Sequence, residues 1–554
     1  MTGGRRRWLA GLAAAAVVVV AVVALRDGGD DAADPGRQKV EVRDGGVVRV
    51  AGTLEVTGFN PNTSEDSGPA LQDIAVSVYP SVFRVHPDFS VRLDQTFMVG
   101  AELTGQAPQT ITYRIRPEAR WSDGVPIGAD DFRYQWQHLN GANPRTDAAS
   151  TAGYDRIQQV TGSDDGKTVT VVFKQPFAEW QSLFANLVPA HHLRRQPGGW
   201  NNGLDQHPEK IPSGGPFEIA GFRRGETVTL RRNDRYWGPK AHLDQIVIRL
   251  VPDSDAQLDA LRNHEADLIR PQPTADLINH VRQLSGVHSQ VRPTLSFEHL
   301  TFNLSQPILA DPAVRRAIAT AIDTGQLVDR LVRPMDASTQ PLGNRIWLPG
   351  QAPYQDHADG YGKGDTGAAK RLLEQAGWRL GADGVYAKDG RRLRLRCSTI
   401  AGDPRRRAEG VLLQDQLAKA GIRLELASAP FAAFFGEWVD KGNFDIADFS
   451  WTGNPFVVSG SQDAYRTDGT GNHGRFSDPE VDELFRRAAG ELDPARAADI
   501  GNEIDRRLWA QLPSIPLYPL PGFLAWRQDL VNVEHNTTTE GPFWNVGTWG
   551  FATS

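Results

Sequence analysis

Ala119-Arg120-Trp121-Ser122-Asp123-Gly124-Val125-Pro126-Ile127-Gly128-Ala129-Asp130-Asp131-Phe132 reads as a strand end, a tight turn and the start of a helix. Upstream, Ile111, Tyr113 and Ile115 alternate with polar residues, the period of a half-buried strand. Ser122-Asp123-Gly124 supplies turn chemistry. Asp130 or a neighbour can cap the helix, whose apolar side carries Phe132, Trp136 and Leu139 at helical spacing.

Working outward, Asp164-Asp165-Gly166-Lys167 predicts a hairpin turn into Val169, Val171 and Phe173. Leu243 to Leu250, a helix with Leu258 and Leu261, and Ala266-Asp267-Leu268-Ile269 make a strand-helix-strand unit. Such a unit favours a right-handed crossover and a parallel pair. A second unit is clearer. Leu393 to Thr399 is a strand, and Pro404 to Ala420 a helix ended by Gly421. Ile422 to Leu426 is the next strand, with Phe444 to Phe449 as a third. Asp311-Pro312 and Asp493-Pro494 each place a cap before a first-turn proline, and Ser477 and Glu480 have capping-box spacing.

The 554 residues exceed what one core serves, so two or three lobes are expected. Composition, 40% hydrophobic and 23% charged, is that of a folded globular chain. A net charge of -7 argues against a nucleic-acid partner. The single cysteine, Cys397, excludes an internal disulfide and sits on the apolar side of an alternating strand, so a buried thiol is expected. At the N-terminus, Arg5-Arg6-Arg7 precedes an uncharged run from Trp8 to Leu25, followed by Arg26-Asp27-Gly28-Gly29-Asp30-Asp31. This is an export element with its basic end inside. Cleavage after Ala24 and retention as a membrane anchor both fit the run. Residues to about Val40 read as a polar tether.

The Trp121-Ser122-Asp123-Gly124 corner resembles the signature of bacterial extracellular solute-binding proteins of the peptide/nickel type. Four further segments resemble blocks of that family in order: Gly214-Gly215-Pro216-Phe217 through Asn233 to Gly238; Leu300 to Leu304 through Asp311 to Ile318; Leu372 to Trp378; and Ser477 to Asp482 with Ile515-Pro516-Leu517-Tyr518. The resemblance implies an α/β, two-lobed periplasmic-binding-protein-like fold with an extra mixed α+β subdomain. The order of elements itself implies one lobe built from both ends of the chain with an α/β lobe inserted, and so a hinge of two crossings, near Leu300 and Pro513. The expected division is 1–40 as signal or anchor plus tether; 41–73, 205–299 and 513–554 as the first lobe; 74–204 as its additional subdomain; and 300–512 as the second lobe. The implied function is a monomeric, extracytoplasmic capture subunit of an ABC importer. Free or tethered, it would bind oligopeptides and deliver them to a membrane permease. A carrier of a sugar, siderophore or metal chelate and a tethered sensor are the alternatives.

Family ligand contacts transfer only at matching positions. Phe444 to Asn454 resembles the strand and loop that enter the cleft, with Trp451 as a wall. Peptide-binding members place an amine-gripping aspartate where Asn454 stands here, and a neutral amide cannot supply that charge-assisted bond. Phe59 and Asn60 match a first-strand loop, and Phe302 and Asn303 lie at the first crossing. These six residues are the expected ligand site. No catalytic residue, cofactor or metal is expected. There is no Gly-x-Ser-x-Gly, no phosphate-loop motif and no His-Glu-x-x-His, and adjacent His191-His192 do not share a face.

Overall fold

The computed structural model describes residues 41–553, so the export element and tether read at 1–40 lie outside the described residues. Among the described residues no helix is long and apolar enough to cross a membrane. Ten strands form the central sheet: β1 (Val47–Gly52), β2 (Phe217–Arg223), β3 (Thr227–Arg232), β4 (Gln245–Leu250), β5 (Leu268–Ile269), β6 (Val287–Phe302), β7 (Arg394–Ile400), β8 (Arg423–Ala429), β9 (Ile446–Thr452) and β10 (Ser514–Arg527). Their order across the sheet is β8-β7-β9-β6-β10-β5-β1-β4-β3-β2.

The expected parallel unit after Leu393 is present: β7 and β8 pair in parallel from Arg394↔Arg423 to Ile400↔Ala429. The earlier unit differs. β4 and β5 run parallel, but β1 lies between them and pairs with both. A crossover fixes direction and hand, yet leaves room for a strand from elsewhere in the chain.

The Trp121 corner belongs to a separate four-stranded antiparallel sheet of Met98–Gln106, Gln109–Ile115, Thr168–Phe173 and Ile157–Gly162. Trp121 is fully buried, and Gly124 takes φ +95° in the turn, which favours glycine. Helix α1 (Ala129–Leu139) follows. Asp130 does not cap it. Gly128 is the cap residue, and its N–H donates to Asp131 Oδ2 at 3.0 Å, while Asp130 turns outward to Arg194.

Helices α2 (Ser254–Arg262), α3 (Ala275–Arg282), α4 (Pro312–Ala321), α5 (Pro404–Lys419), α6 (Val457–Tyr465), α7 (Pro479–Ala488) and α8 (Pro494–Gln511) complete the larger elements used below. Asp311 and Asp493 cap α4 and α8 as expected. For α7 the cap is Asp478 rather than Ser477: its Oδ1 accepts from Glu480 N, and Pro479 fills the first position.

Two large apolar clusters flank the sheet. One joins Val48, Trp121, Phe184, Phe217 and Trp549; the other joins Ile318, Leu395, Cys397, Leu413 and Ile515. Cys397 is buried as expected. Leu258, Leu261, Leu277 and Ile278 join the second cluster because α2 and α3 cover the other face of the sheet, where side chains alternate. β6 and β10 form the long antiparallel pair connecting the two regions. Their ladder breaks between Pro293↔Pro521 and Phe297↔Pro519. Proline has no N–H to continue it. On one side of the break β10 pairs with β5, and on the other β6 pairs with β9. The break is thus where β6 and β10 exchange strand partners.

Candidate functional site

β9 lies antiparallel to β6 with Trp451 opposite Phe297 and Phe449 opposite His299. Alternation sends these four rings to one face and Glu298, Asp448 and Ser450 to the other. The Trp451 indole lies nearly parallel to the His473 ring, 8° between planes, and near-parallel to His299, while Phe449 meets it edge-on at 5.5 Å. Burial pushes His299 down to about 3, so this imidazole is neutral. Trp451 itself is half-buried.

The chain then turns sharply. Gly453 N–H donates to Leu295 O at 2.8 Å, and a Cβ there would sit 2.6 Å from that same oxygen. Asn454 Oδ1 accepts from Phe456 N–H at 2.8 Å, an Asx turn leading into α6. Between this turn and α6 is a small recess. Phe297, Leu348, Trp451 and Val457 form its apolar wall, and Arg345, Asn454 and Tyr465 its polar part.

Arg345 is wholly buried. Its Nη2 donates to Ser514 O at 2.6 Å, its Nη1 lies 3.3 Å from Asp505 Oδ1, and its guanidinium lies 4.2 Å over the Trp509 ring. Asp505 also accepts Arg345 N–H at 2.9 Å and stands 2.8 Å from His357 Nδ1. Burial pulls the guanidinium below its ordinary range, and Asp505 is the charge that opposes this.

Helix α6 has no side-chain cap from its own flank. Glu179 supplies one from far away in sequence, accepting Val458 N–H at 2.8 Å and Ser459 N–H at 2.9 Å. Two neighbouring contacts join the same regions: Ala178 N–H donates to Ala489 O at 3.0 Å, and Arg156 Nη1 to Ala489 O at 3.2 Å. Phe89, at the tip of a hairpin, packs with Phe297, Leu342 and Leu348. The segment carrying Phe89 and Glu179 is thus closed down on the recess. A wider groove lies by Arg84, Tyr236 and Trp544, but Arg84 is already matched by Asp94 and Glu540.

Residues 106–473 match the family of bacterial extracellular solute-binding proteins, family 5 Middle. The oligopeptide-binding protein OppA of Mycobacterium tuberculosis (strain ATCC 25618 / H37Rv) is 34% identical over 500 residues, covering 89% of this chain and 83% of OppA. The chain belongs to the family-5 bacterial extracellular solute-binding proteins. Among solved structures, the periplasmic EDTA-binding protein EppA is similar with a TM-score of 0.88 and 31% identity, over 93% of this chain and 98% of EppA. The oligopeptide-binding protein AppA from Bacillus subtilis, in complex with a nonapeptide, shares the fold with a TM-score of 0.73 at 20% identity, over 93% of this chain and 100% of AppA. The solute-binding protein therefore has the mixed α/β periplasmic-binding-protein fold and is a non-catalytic transport component. Membership implies a small-molecule or peptide ligand, an ABC permease partner and an extracytoplasmic position.

In this family-5 chain the recess gathers Trp451 and Asn454, and none of the other four expected residues. Phe59, Asn60, Phe302 and Asn303 show no exposure. Asn60 Nδ2 donates to Trp200 O at 2.6 Å, and the Phe59 ring meets Phe222 edge-on. Asn303 Nδ2 donates to Gly442 O and Phe444 O, and its Oδ1 accepts from Ser305 N–H and Oγ–H. Phe302 is in the second apolar cluster. In this structure the four positions serve packing and loop bracing, and every polar atom of the Asn303 side chain has a protein partner. Sequence reasoning missed Glu179, Arg345 and Tyr465. The one available hint was negative: no Ser, Thr, Asp or Asn immediately precedes Val457.

On the opposite face of β9, Glu298, Glu409 and Asp448 are buried, and half-buried Arg405 and Arg406 pair with Glu298, Arg405 also with Glu409. Burial first, then repulsion from Glu298 on Glu409 and from Glu409 and Glu298 on Asp448, push the two carboxyls upward. The folded state retains a proton that the unfolded chain gives up, so stability from this pair is highest in acid. It is lost as pH rises from the ordinary carboxylate range through the raised folded values, and is constant above them. Asp448→Asn is expected to flatten that decline and to raise stability at alkaline pH. Thermal melts across a pH series would check this, and an unchanged slope would count against the shared proton.

Proposed function

We propose that this solute-binding protein captures oligopeptides between its two halves and hands them to an ABC permease. The halves correspond to residues 41–299 with 513–554, and to residues 300–512, joined by β6 and β10. An extended ligand would pair its backbone with cleft backbone, which tolerates varied side groups. Closure onto the ligand would then shift the population toward the form the permease recognises. The observation that carries the reading is the half-buried Trp451 beside a recess over which a distant segment closes. The OppA relative supports the peptide class. A chelate is the second reading, favoured by the likeness to EDTA-binding EppA at 31% identity.

Calorimetry with trialanine, pentaalanine, EDTA and Fe(III)-EDTA separates the two. The peptide reading expects binding of the alanine peptides and none of the chelators. Trp451→Ala is expected to weaken binding about tenfold or more while the circular dichroism spectrum is retained. An unchanged dissociation constant would remove Trp451 from the site.

A further inference from the structure

The recess beside Trp451 has a chemical polarity. Its lining contains no aspartate or glutamate, and its one formally charged side chain is Arg345. Asn454 is oriented by its turn: the oxygen accepts Phe456 N–H, which leaves the Nδ2 donor for the recess. Ser461 Oγ–H is already engaged, donating to Val457 O. Tyr465 is 4% exposed, and its hydroxyl faces Ser514 without a hydrogen bond of good geometry. Ser514 Oγ accepts from Arg345 Nε instead. The Tyr465 hydroxyl, beside Ser514 but not well aligned with it, keeps donor capacity for an incoming acceptor.

We infer that this recess receives a hydrogen-bond acceptor, the terminal carboxylate of the bound ligand, and not an ammonium group. Tyr465 Oη and Asn454 Nδ2 are the donors that would meet it. The Arg345 charge, held in place by Asp505, stands behind them on the same wall. An ammonium would find only neutral oxygens, no carboxylate to offset the loss of its hydration, and the Arg345 charge on the same wall. Asn454 thus does more than omit an acidic side chain, because its turn leaves the amide nitrogen rather than the oxygen for the ligand. This inference rests on the recess being part of the capture site and specifies which end of the ligand enters it.

The test compares trialanine, N-acetyl-trialanine and trialanine amide by calorimetry on the intact protein, with EDTA as a second carboxylate probe. Acetylation is expected to change affinity by no more than about threefold, and amidation to lower it by about tenfold or more. Tyr465→Phe, which keeps the ring and its packing, should reduce the acid-over-amide preference. Asn454→Asp keeps the turn acceptor but adds a negative charge, and should weaken carboxylate-bearing probes by about tenfold or more. Loss of binding on acetylation with amidation harmless would overturn the inference, as would a full acid-over-amide preference in Tyr465→Phe. If no peptide binds but EDTA does, and Tyr465→Phe weakens EDTA, the peptide reading fails while the acceptor site stands. If no carboxylate-bearing probe binds, the inference itself is overturned.

Discussion

Asp505→Ala is expected to cost about 3–5 kcal/mol of stability, because it leaves the Arg345 guanidinium charged and unmatched in the interior. Both side chains are fully buried, and Asp505 is the acceptor for Arg345 Nη1, for the Arg345 backbone N–H and for the His357 ring. Ser514 O and the Trp509 face supply partners but no opposing charge. Arg345 also lines the recess, so ligand affinity should fall with the fold. A double replacement, Arg345→Met with Asp505→Leu, removes the stranded charge and should recover much of the loss. Chemical denaturation of the three proteins checks this. If Asp505→Ala unfolds at the same midpoint as the parent, the buried pair has no stabilising role.

Glu179→Ala is expected to act on closure. Its carboxylate takes two backbone N–H groups at the start of α6, across 279 residues of sequence from Val458. Hydrogen bonds to a charged acceptor contribute about 1.5–3 kcal/mol each, and partial replacement by water reduces the net loss to about one such bond. Ligand affinity should therefore fall by about ten- to a hundredfold. The first-turn amides of α6 should exchange faster, and the radius of gyration of the ligand-free protein should rise as the open population grows. Glu179→Gln retains one good acceptor and should fall between the two. Burial already opposes ionisation of this carboxyl, so the N–H pair is what holds it in place. Identical scattering curves and identical exchange at Val458 and Ser459 would show that Glu179 is mere filler.

Much of the fold was legible because it depends on neighbours along the chain. The Trp121 turn, the hairpin at Gly166, the caps at Asp311 and Asp493 and the β7–α5–β8 unit all follow from side chains within a few residues of one another. The site was less legible. Trp451 and Asn454, read from their setting after a buried strand, line the recess, whereas Asn303 and Asn60 are buried against backbone, because an asparagine pattern does not say which way its amide faces.

The sequence by itself determined the local elements, the family and the neutral amide at position 454. Only the tertiary structure decided that Val47–Gly52 separates two crossover strands, that Glu179 caps a helix far along the chain, and that Arg345 and Tyr465 share a recess with Trp451. The physical reason is range: helix periodicity and turn chemistry act over a few residues, whereas strand order, buried charge pairing and the lining of a recess depend on which distant segments the packed core brings together.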